Sequence, residues 1–235
     1  MNPTRTLDAD VSMDQENGER QQNSGAAPRR DRDAKQRSAR DSFIERVARA
    51  GFRNTRIEDV CRDAGVSHRE FYRWFGNKDQ CYLSIFDAFG RSLIDVGQRT
   101  FDGTTGSWEE KLRAGLLAVV RELAGAPDRA RFLLECHAVG GGEGAMWRLV
   151  DRAALVYLTD EVRSEAPQAP MAASESIAAG VVVEPIRRYL EEGKVDRLPD
   201  LVPWIVYYMT LYLFGPARAA SQRPPLEPEA GGSDE

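Results

Sequence analysis

Side chains that can contact nucleic acid are grouped on one face of the segment His68–Phe75, HREFYRWF. At 100° per residue, Arg69, Tyr72 and Arg73 fall on one side of a helix, and the Phe and Trp residues fall on the other. Arg can hydrogen-bond the edge of a guanine, and Tyr can hold a phosphate. One face of this segment therefore carries the chemistry needed to bind DNA.

The preceding residues predict the element that positions this face. Ile57–Ala64 has apolar residues at i, i+3, i+4 and i+7, the spacing of a short amphipathic helix. Gly65 then ends that helix, and Ser67 is of the type that caps the start of the next. Two short helices joined by a tight turn describe a helix-turn-helix, which places its second helix in the DNA major groove. For an isolated pair of helices, the alternative is an ordinary hairpin with a solvated polar face.

The wider segment resembles the N-terminal domain of the TetR/AcrR-like (tetracycline-repressor-like) family of bacterial transcriptional regulators. The match covers residues 36–90, and its main features are Gly51-Phe52, Thr55, Ala64–Ser67, Phe71-Tyr72, Phe75 and Lys78-Asp79. The resemblance implies a homodimeric, DNA-binding repressor that a small ligand releases from a palindromic operator. It also implies phosphate contacts for Thr55, Tyr72 and Lys78.

Glu70 departs from the small residue that is common in the family at its position. It can pair with Arg73 at i+3, or accept a hydrogen bond from a cytosine amino group. The sequence of the operator therefore stays open. The residues predicted to contact double-stranded DNA are Thr55, Ser67, His68, Arg69, Glu70, Tyr72, Arg73 and Lys78.

The charge distribution agrees with contact at one end of the chain. The whole chain has a net charge of −5. Residues 29–79, however, contain 14 Lys and Arg against 9 Asp and Glu, whereas the rest contains 18 against 28. A basic segment attached to an acidic body is typical of a nucleic-acid-binding module with a separate second domain.

Composition places the protein among cytoplasmic globular proteins. Its 235 residues, 42% of them hydrophobic, are enough for one large domain or two small ones. Three widely spaced cysteines without a CxxC motif indicate reduced, mostly buried thiols, with a redox sensor as the alternative. The N-terminal residues lack the apolar run of a signal peptide, so no signal peptide is expected.

The sequence predicts no catalytic residue, no metal site and no cofactor. The two histidines, His68 and His137, are predicted to lie in different domains, so they cannot form a His-rich site. Gly140–Gly144 lacks the Lys-Ser/Thr of a P-loop, and we interpret it as a flexible joint. Two alternatives to a ligand-controlled regulator stay open. One is a ligand-independent architectural DNA-binding protein, and the other is an enzyme or small-molecule carrier with an incidental basic domain.

Helical periodicity predicts an all-α fold of about nine helices. An N-terminal three-helix domain is expected at 34–80, followed at 81–220 by an antiparallel helical domain for regulation and dimerisation. Disorder is expected at 1–33 and 221–235. The basic residues Arg29–Arg32 would be either a solvated linker or an arm along a DNA groove. The first helix is expected to start near Ala34, and Thr55 or Asn54 is expected to cap the second. The seventh helix is expected over about 143–164 and the eighth over about 171–192. Asp200 is expected to cap the ninth.

The ninth predicted helix contains 17 consecutive uncharged residues, Leu201–Ala217. A membrane span needs about 20 apolar residues, and Pro203, Gly215 and Pro216 interrupt this one. A helix that is apolar all round has one side left for a partner chain, which predicts a homodimer. The residues predicted at its interface are Ile177, Val181, Trp204, Tyr208 and Tyr212.

Helices four to seven of the prediction share a surplus of large apolar side chains. A plain packed core explains any one of them, but as a set they offer apolar walls with a few polar groups, typical of a small-molecule site. Because no Arg or Lys is expected to face inward, the predicted effector is largely apolar and not strongly anionic. The predicted lining is Phe86, Phe89, Leu93, Leu112, Leu116, Phe132, Cys136, His137, Met146, Trp147 and Tyr157.

Overall fold

The computed structural model describes residues 26–166 and 179–225, and every regular element in them is helical. The prediction of an all-α fold is confirmed, with eleven α-helices in the described residues against the nine expected. These are α1 Ala26–Ala50, α2 Ile57–Ala64, α3 His68–Phe75, α4 Lys78–Gly103, α5 Trp108–Gly125, α6 Pro127–Leu134, α7 Gly142–Tyr157, α8 Asp160–Glu165, α9 Glu184–Glu191, α10 Val202–Phe214 and α11 Pro216–Ala219.

The chain forms two compact units. The first takes the described residues up to Phe43 together with Arg56–Gly76, and the second takes Ile44–Thr55 and the residues from Asn77 onward. The second unit thus includes residues 44–55, which sequence reasoning assigned to the first domain. Side-chain contacts within that unit explain the assignment, because the Phe52 ring packs edge-on against Tyr82 at 5.5 Å between centroids.

The first unit is a three-helix domain built around aromatic side chains. Phe43 of α1 and Phe71 of α3 are fully buried, with their ring centroids 6.4 Å apart. Phe75 lies 4.9 Å from Phe71 on the next turn of α3. Gly65 closes α2 with φ +64°, a left-handed conformation that favours glycine, so the predicted turn is present.

Helix α1 begins at Ala26, eight residues before the predicted start. The segment Arg29–Arg32, expected to be a linker or an extended arm, is therefore helical. Pro28 is compatible with a first helical turn, because its missing N–H would have no partner there. An ion pair between Lys35 Nζ and Asp31 Oδ2, 3.1 Å apart at i,i+4 spacing, supports the following turn.

The prediction that Thr55 or Asn54 caps α2 is wrong. Residue Arg56 occupies the N-cap position in an extended conformation, with no side-chain cap bond. Instead, the Thr55 hydroxyl donates to the Gly51 carbonyl oxygen at 2.9 Å, and Asn54 Nδ2 donates to the Ala50 carbonyl oxygen at 2.9 Å. The last carbonyls of α1 have no partners within their own helix, and these two side chains satisfy them.

Three other predicted elements of the second unit differ from the structure. The seventh predicted helix is broken after Tyr157, because Thr159 is an N-cap whose hydroxyl accepts from the Val162 N–H. Asp200 does not cap the ninth helix, since it lies in a 3₁₀ segment and pairs with Arg197 at 2.9 Å. A π-helical turn at Ala179–Val183 precedes Pro185, which removes one helical hydrogen bond, and residues 171–178 lie outside the described chain.

A buried carboxylate joins the start of α5 to α11 in the second unit. Glu109, at the start of α5, is 4% exposed, and Arg218 Nε of α11 donates to its Oε1 at 2.6 Å. The Arg218 guanidinium also lies 3.8 Å from the Phe214 ring centroid and donates to Glu165 at 2.7 Å. Burial is the largest single influence and raises the pKa of Glu109, but the hydrogen bond and charge of Arg218, together with the hydrogen bonds at the start of α5, outweigh it and leave the pKa below its ordinary value of 4.5.

We predict that Arg218→Ala lowers the free energy of unfolding by about 2 kcal/mol at neutral pH, because it leaves the Glu109 carboxylate buried without its cation. A suitable control is Arg188→Ala, which breaks an exposed pair with Glu192 and should cost at most about 0.5 kcal/mol. Because the folded-state pKa of Glu109 is depressed, the pair stabilises above pH 4.5 and its contribution is lost as the pH falls further. Denaturant titrations at several pH values measure both effects, and equal losses for the two variants would contradict the first.

Candidate functional site

The start of α3 is fixed by a capping box that sequence reasoning missed. The Glu70 N–H donates to the Ser67 hydroxyl oxygen at 3.2 Å, and the Glu70 carboxylate accepts from the Ser67 N–H at 2.9 Å. The Ser67 N–H and the Ser67 hydroxyl both donate to the Glu70 carboxylate, and these two hydrogen bonds hold the pKa of Glu70 below its ordinary value. The Ser-x-x-Glu spacing was the available signal. Glu70 therefore orients the helix, in addition to either role considered for it from the sequence.

The predicted division of α3 into an inner and an outer face is present. Phe71 and Phe75 are buried, and Trp74 is half-buried. On the other face, Tyr72 is 46% exposed and its ring packs edge-on against Phe71. Six of the predicted DNA-contacting residues lie in the first unit. Glu70 is half-buried, and the other five are exposed: Ser67, His68, Arg69, Tyr72 and Arg73.

The other two predicted DNA-contacting residues belong to the second unit. Thr55 is 5% exposed, and its hydroxyl serves the end of α1. Lys78, at the start of α4, donates to the Arg53 carbonyl oxygen at 3.4 Å and lies 4.4 Å from the Phe52 ring centroid. Burial lowers the pKa of Lys78, and Asp79 partly opposes that shift. Asn77 caps α4, with its Oδ1 accepting from the Gln80 N–H at 2.7 Å.

The second unit contains a cavity of about 550 Å³ lined mainly by apolar side chains. Helices α4, α5, α7 and α9 form its walls, together with the end of α6, the residues that follow it and the turn before α9. Seven residues predicted to line a pocket do so: Leu93, Leu116, Cys136, His137, Met146, Trp147 and Tyr157. A smaller adjoining space of about 80 Å³ is lined by Leu112, which was also predicted.

Three predicted pocket residues lie in the packed core instead. Phe86 and Phe132 are 1% exposed and Phe89 is 8% exposed, and none of them lines the cavity. Tyr82 explains this placement, because its ring stacks on Phe132 at 4.3 Å and on Phe86 at 6.0 Å. Stacking among these large rings fills the space between α4 and α6.

The wall contributed by α9 and the turn before it was missed. Val182, Ile186 and Leu190 recur every four residues and line the cavity, whereas sequence reasoning assigned the preceding Ile177 and Val181 to a dimer interface. Arg187 lines it as well, contrary to the prediction that no basic residue faces inward. The Arg187 guanidinium donates to Glu184 Oε2 at 2.8 Å and also pairs with Glu191, and these hydrogen bonds raise its pKa.

The polar residues of the cavity lining include His137, Glu143, Glu184 and Arg187, and three of these four are exposed. Inside, burial raises the pKa of the Cys136 thiol to about 11 and that of the Tyr157 hydroxyl to about 12. Both groups are therefore neutral at physiological pH. The cavity thus joins a neutral, apolar interior to a rim that carries charges of both signs.

A hydrogen bond connects the cavity wall to the loop Gly51–Thr55. Glu135 begins a 3₁₀ segment whose next residues, Cys136 and His137, line the cavity. Its Oε2 accepts from the Phe52 N–H at 2.8 Å. A displacement of this 3₁₀ segment would therefore move the carboxylate that holds the loop.

Residues predicted at a dimer interface lie on two elements. On α10, Tyr208 is 47% exposed and stacks on Trp204 at 6.2 Å between centroids, while Trp204 and Tyr212 are half-buried. Tyr212 also lines the small adjoining space, and Val181 is half-buried in the π-helical turn. Ile177 lies outside the described residues. None of the described helices is both long and apolar enough to cross a membrane.

Comparison with known proteins gives one family and one fold. Residues 39–85 match the family of bacterial regulatory proteins called the tetR family. No curated protein sequence matches the chain significantly. The structure is similar to that of the fatty acid degradation regulator FadR from Bacillus halodurans, with a TM-score of 0.63. It is also similar to that of the transcriptional regulator FadR from Bacillus subtilis in complex with stearoyl-CoA, with a TM-score of 0.64. Each is 17% identical, and the match covers 76% of this chain and 97% of theirs.

A TetR family transcription regulator from Marinobacter aquaeolei VT8 is also similar, with a TM-score of 0.58 and 18% identity. That match again covers 76% of this chain and 97% of the other. At these identities the likeness concerns the fold.

The turn between the cavity-lining 3₁₀ segment and α7 leaves no room for a side chain at Gly142. A Cβ there would lie 1.9 Å from the Cys136 carbonyl oxygen, so Gly142→Ala should lower the free energy of unfolding by about 1–3 kcal/mol. Gly144→Ala is the matched control, because its Cβ would meet only the Arg148 side chain at 3.4 Å and Ala favours a helix. Thermal unfolding of both variants checks this, and equal stability of the two would contradict it.

Proposed function

We propose that the chain, whose residues 39–85 match the tetR family of bacterial regulatory proteins, is a homodimeric repressor that a largely apolar small molecule releases from a palindromic operator. The outward face of α3 is the main support for DNA binding. Arg69, Tyr72 and Arg73 are exposed there on a helix that the capping box of Ser67 and Glu70 fixes. Such a helix enters the major groove, where arginine reads guanine.

The cavity supports control by a ligand. A ligand-independent architectural protein would be expected to have a solid second domain, whereas this unit encloses about 550 Å³ between apolar walls. Pockets of this size and lining bind drug-sized molecules. The FadR structure from Bacillus subtilis contains stearoyl-CoA, so acyl-CoA thioesters are the first ligand class to test, although their CoA group is more anionic than the effector expected from the sequence. An acyl chain would fit the apolar interior, and a polar group would lie at the rim near His137 and Arg187.

The hydrogen bond from Phe52 to Glu135 offers a route from ligand to DNA. A ligand touching Cys136 or His137 would displace the neighbouring Glu135, and with it the loop that ends at Thr55. Residue 56, the next in the chain, is where the DNA-binding unit resumes. A ligand shifts such an equilibrium only by the difference between its affinities for the two states.

A dimer through α10 would supply the second recognition helix that a palindromic operator requires. Trp204, Tyr207 and Tyr208 form a cluster of rings on that helix, with Tyr207 and Tyr208 5.2 Å apart. Of these rings Tyr208 is exposed and the other two are half-buried, and surface aromatic groups are enriched at protein interfaces. The two recognition helices of such a dimer must lie about 34–36 Å apart, one turn of DNA.

Replacing Arg69 or Arg73 with Ala should each weaken operator binding by roughly 1–3 kcal/mol and relax specificity at one base pair. Footprinting on the DNA that flanks the protein's own gene provides the measurement, with Arg188→Ala as a control that removes the same charge from the second unit. Lys78→Ala should weaken binding to all sequences and flatten the salt dependence by about one unit of slope. Normal protection of the operator by the double Arg69/Arg73 variant would refute the assignment of α3.

Stearoyl-CoA should raise the unfolding temperature of the protein and release it from its operator, whereas free CoA should do neither. At a free concentration 100 times its dissociation constant, a ligand of the native state contributes about 2.7 kcal/mol. Ala153→Phe, which fills the cavity, should abolish the shift without abolishing DNA binding. Ala88→Phe, on the exposed face of α4, is the control. An equal shift in Ala153→Phe and wild type would place the ligand outside the cavity.

A further inference from the structure

Helix α1 carries a basic stripe on the same face that packs against the rest of its unit. Ala39 and Phe43 are fully buried on that face. At 100° per residue, Arg32 lies one heptad before Ala39 and Lys35 lies four residues before it, so both continue the stripe toward the N-terminus. There the apolar packing ends, Lys35 is half-buried, and the Arg32 side chain is 58% exposed.

Contacts within the first unit locate this stripe relative to α3. The Arg40 guanidinium lies 5.8 Å from the ring centroid of Phe75, at the C-terminal end of α3. At the other end, Lys35 is close enough to Glu70 to add to the lowering of its pKa, which hydrogen bonds from Ser67 dominate. Helix α1 thus passes along α3, and Arg32 lies about 4.5 Å further along the axis of α1 than Lys35, toward the N-terminal end of α3.

The N-terminal residues of a recognition helix are those that approach the bases, and a sugar-phosphate strand borders the groove beside them. Arg32 and Lys35 are therefore placed on the side where that strand passes. Their present partners are acidic neighbours on the same helix. Lys35 pairs with Asp31 at 3.1 Å, and Arg32 lies 4.0 Å from Asp33. Exposed pairs of this kind contribute little to stability, so a phosphate can replace them at small cost.

We propose that Arg32 and Lys35 form a second phosphate-binding element, which grips the DNA strand flanking the groove that α3 reads. The proposal rests on the proposed DNA-binding function and adds a contact outside the helix-turn-helix. Because it involves phosphates alone, this element increases affinity for all duplexes without changing base preference. Its contribution is electrostatic and is seen in the salt dependence of binding.

Helix α1 provides its own matched control. Arg30 and Arg37 are exposed and lie on the opposite face, about 180° from the centre of the stripe. The double variants Arg32→Gln/Lys35→Gln and Arg30→Gln/Arg37→Gln therefore remove equal charge from the same turns. Thermal unfolding of each variant verifies that the first unit is folded.

The test measures the affinity of the full chain for a duplex of arbitrary sequence over a range of salt concentrations. The slope of log K against log salt should fall by about two units for Arg32→Gln/Lys35→Gln and by less than one for the control pair. Equal changes in the two variants would show that only net charge matters, and an unchanged slope would show no contact; either result overturns the proposal. If the wild-type protein binds no duplex, the proposed function fails together with this inference. If binding depends on Arg69 and Arg73 but not on Arg32 and Lys35, this inference alone is refuted.

Discussion

The second unit depends on the burial of Tyr82. Its side chain is fully buried, stacks on Phe132, and meets the edge of Phe52. Burial also raises the pKa of the hydroxyl, so it stays a donor and bonds the Phe132 carbonyl oxygen at 2.7 Å. One side chain thereby holds α4, α6 and the loop Gly51–Thr55 together. A buried ring with a satisfied polar atom gives a single packing arrangement, whereas an aliphatic residue would leave that carbonyl without its donor.

The same unit combines this dense core with a large cavity. Protein interiors are close-packed, and an empty space deprives the atoms of its lining of contacts on one side. The aliphatic walls of the 550 Å³ cavity therefore gain more from an apolar occupant than a polar lining would. Arg187 is compatible with such an occupant, because its charge is already balanced by Glu184 and Glu191 at the rim.

Loop Gly51–Thr55 lies next to one of the places where the chain passes from one unit to the other. Its backbone is held by Glu135 at Phe52, and its carbonyls accept from Thr55 and from Lys78. These bonds belong to the second unit, yet the loop leads directly into α2. Small changes in the cavity wall at Cys136 thus have a short covalent and hydrogen-bonded connection to the start of the helix-turn-helix.

The sequence by itself determined the features that depend on neighbouring residues. The period of 3.6 gave the all-α fold, Gly65 and Ser67 gave the turn, and the alternation of Arg and Phe gave the outer face of α3. These are local effects, because a helix face or a cap is decided within one or two turns. Even so, the Ser67–Glu70 capping box and the Thr159 cap were overlooked, although both signals are local.

Only the tertiary structure decided which apolar side chains pack and which line an open space. Phe86 and Leu93 lie seven residues apart on α4 and so share a helix face, yet the ring packs with Tyr82 and the leucine faces the cavity. Likewise, the stripe Val182, Ile186 and Leu190 is apolar whether it faces a ligand or a partner chain. Thr55 is of a type that caps helices, but it serves α1 and not α2. Each outcome depends on distant residues brought close by folding, and spacing along one segment carries no information about them.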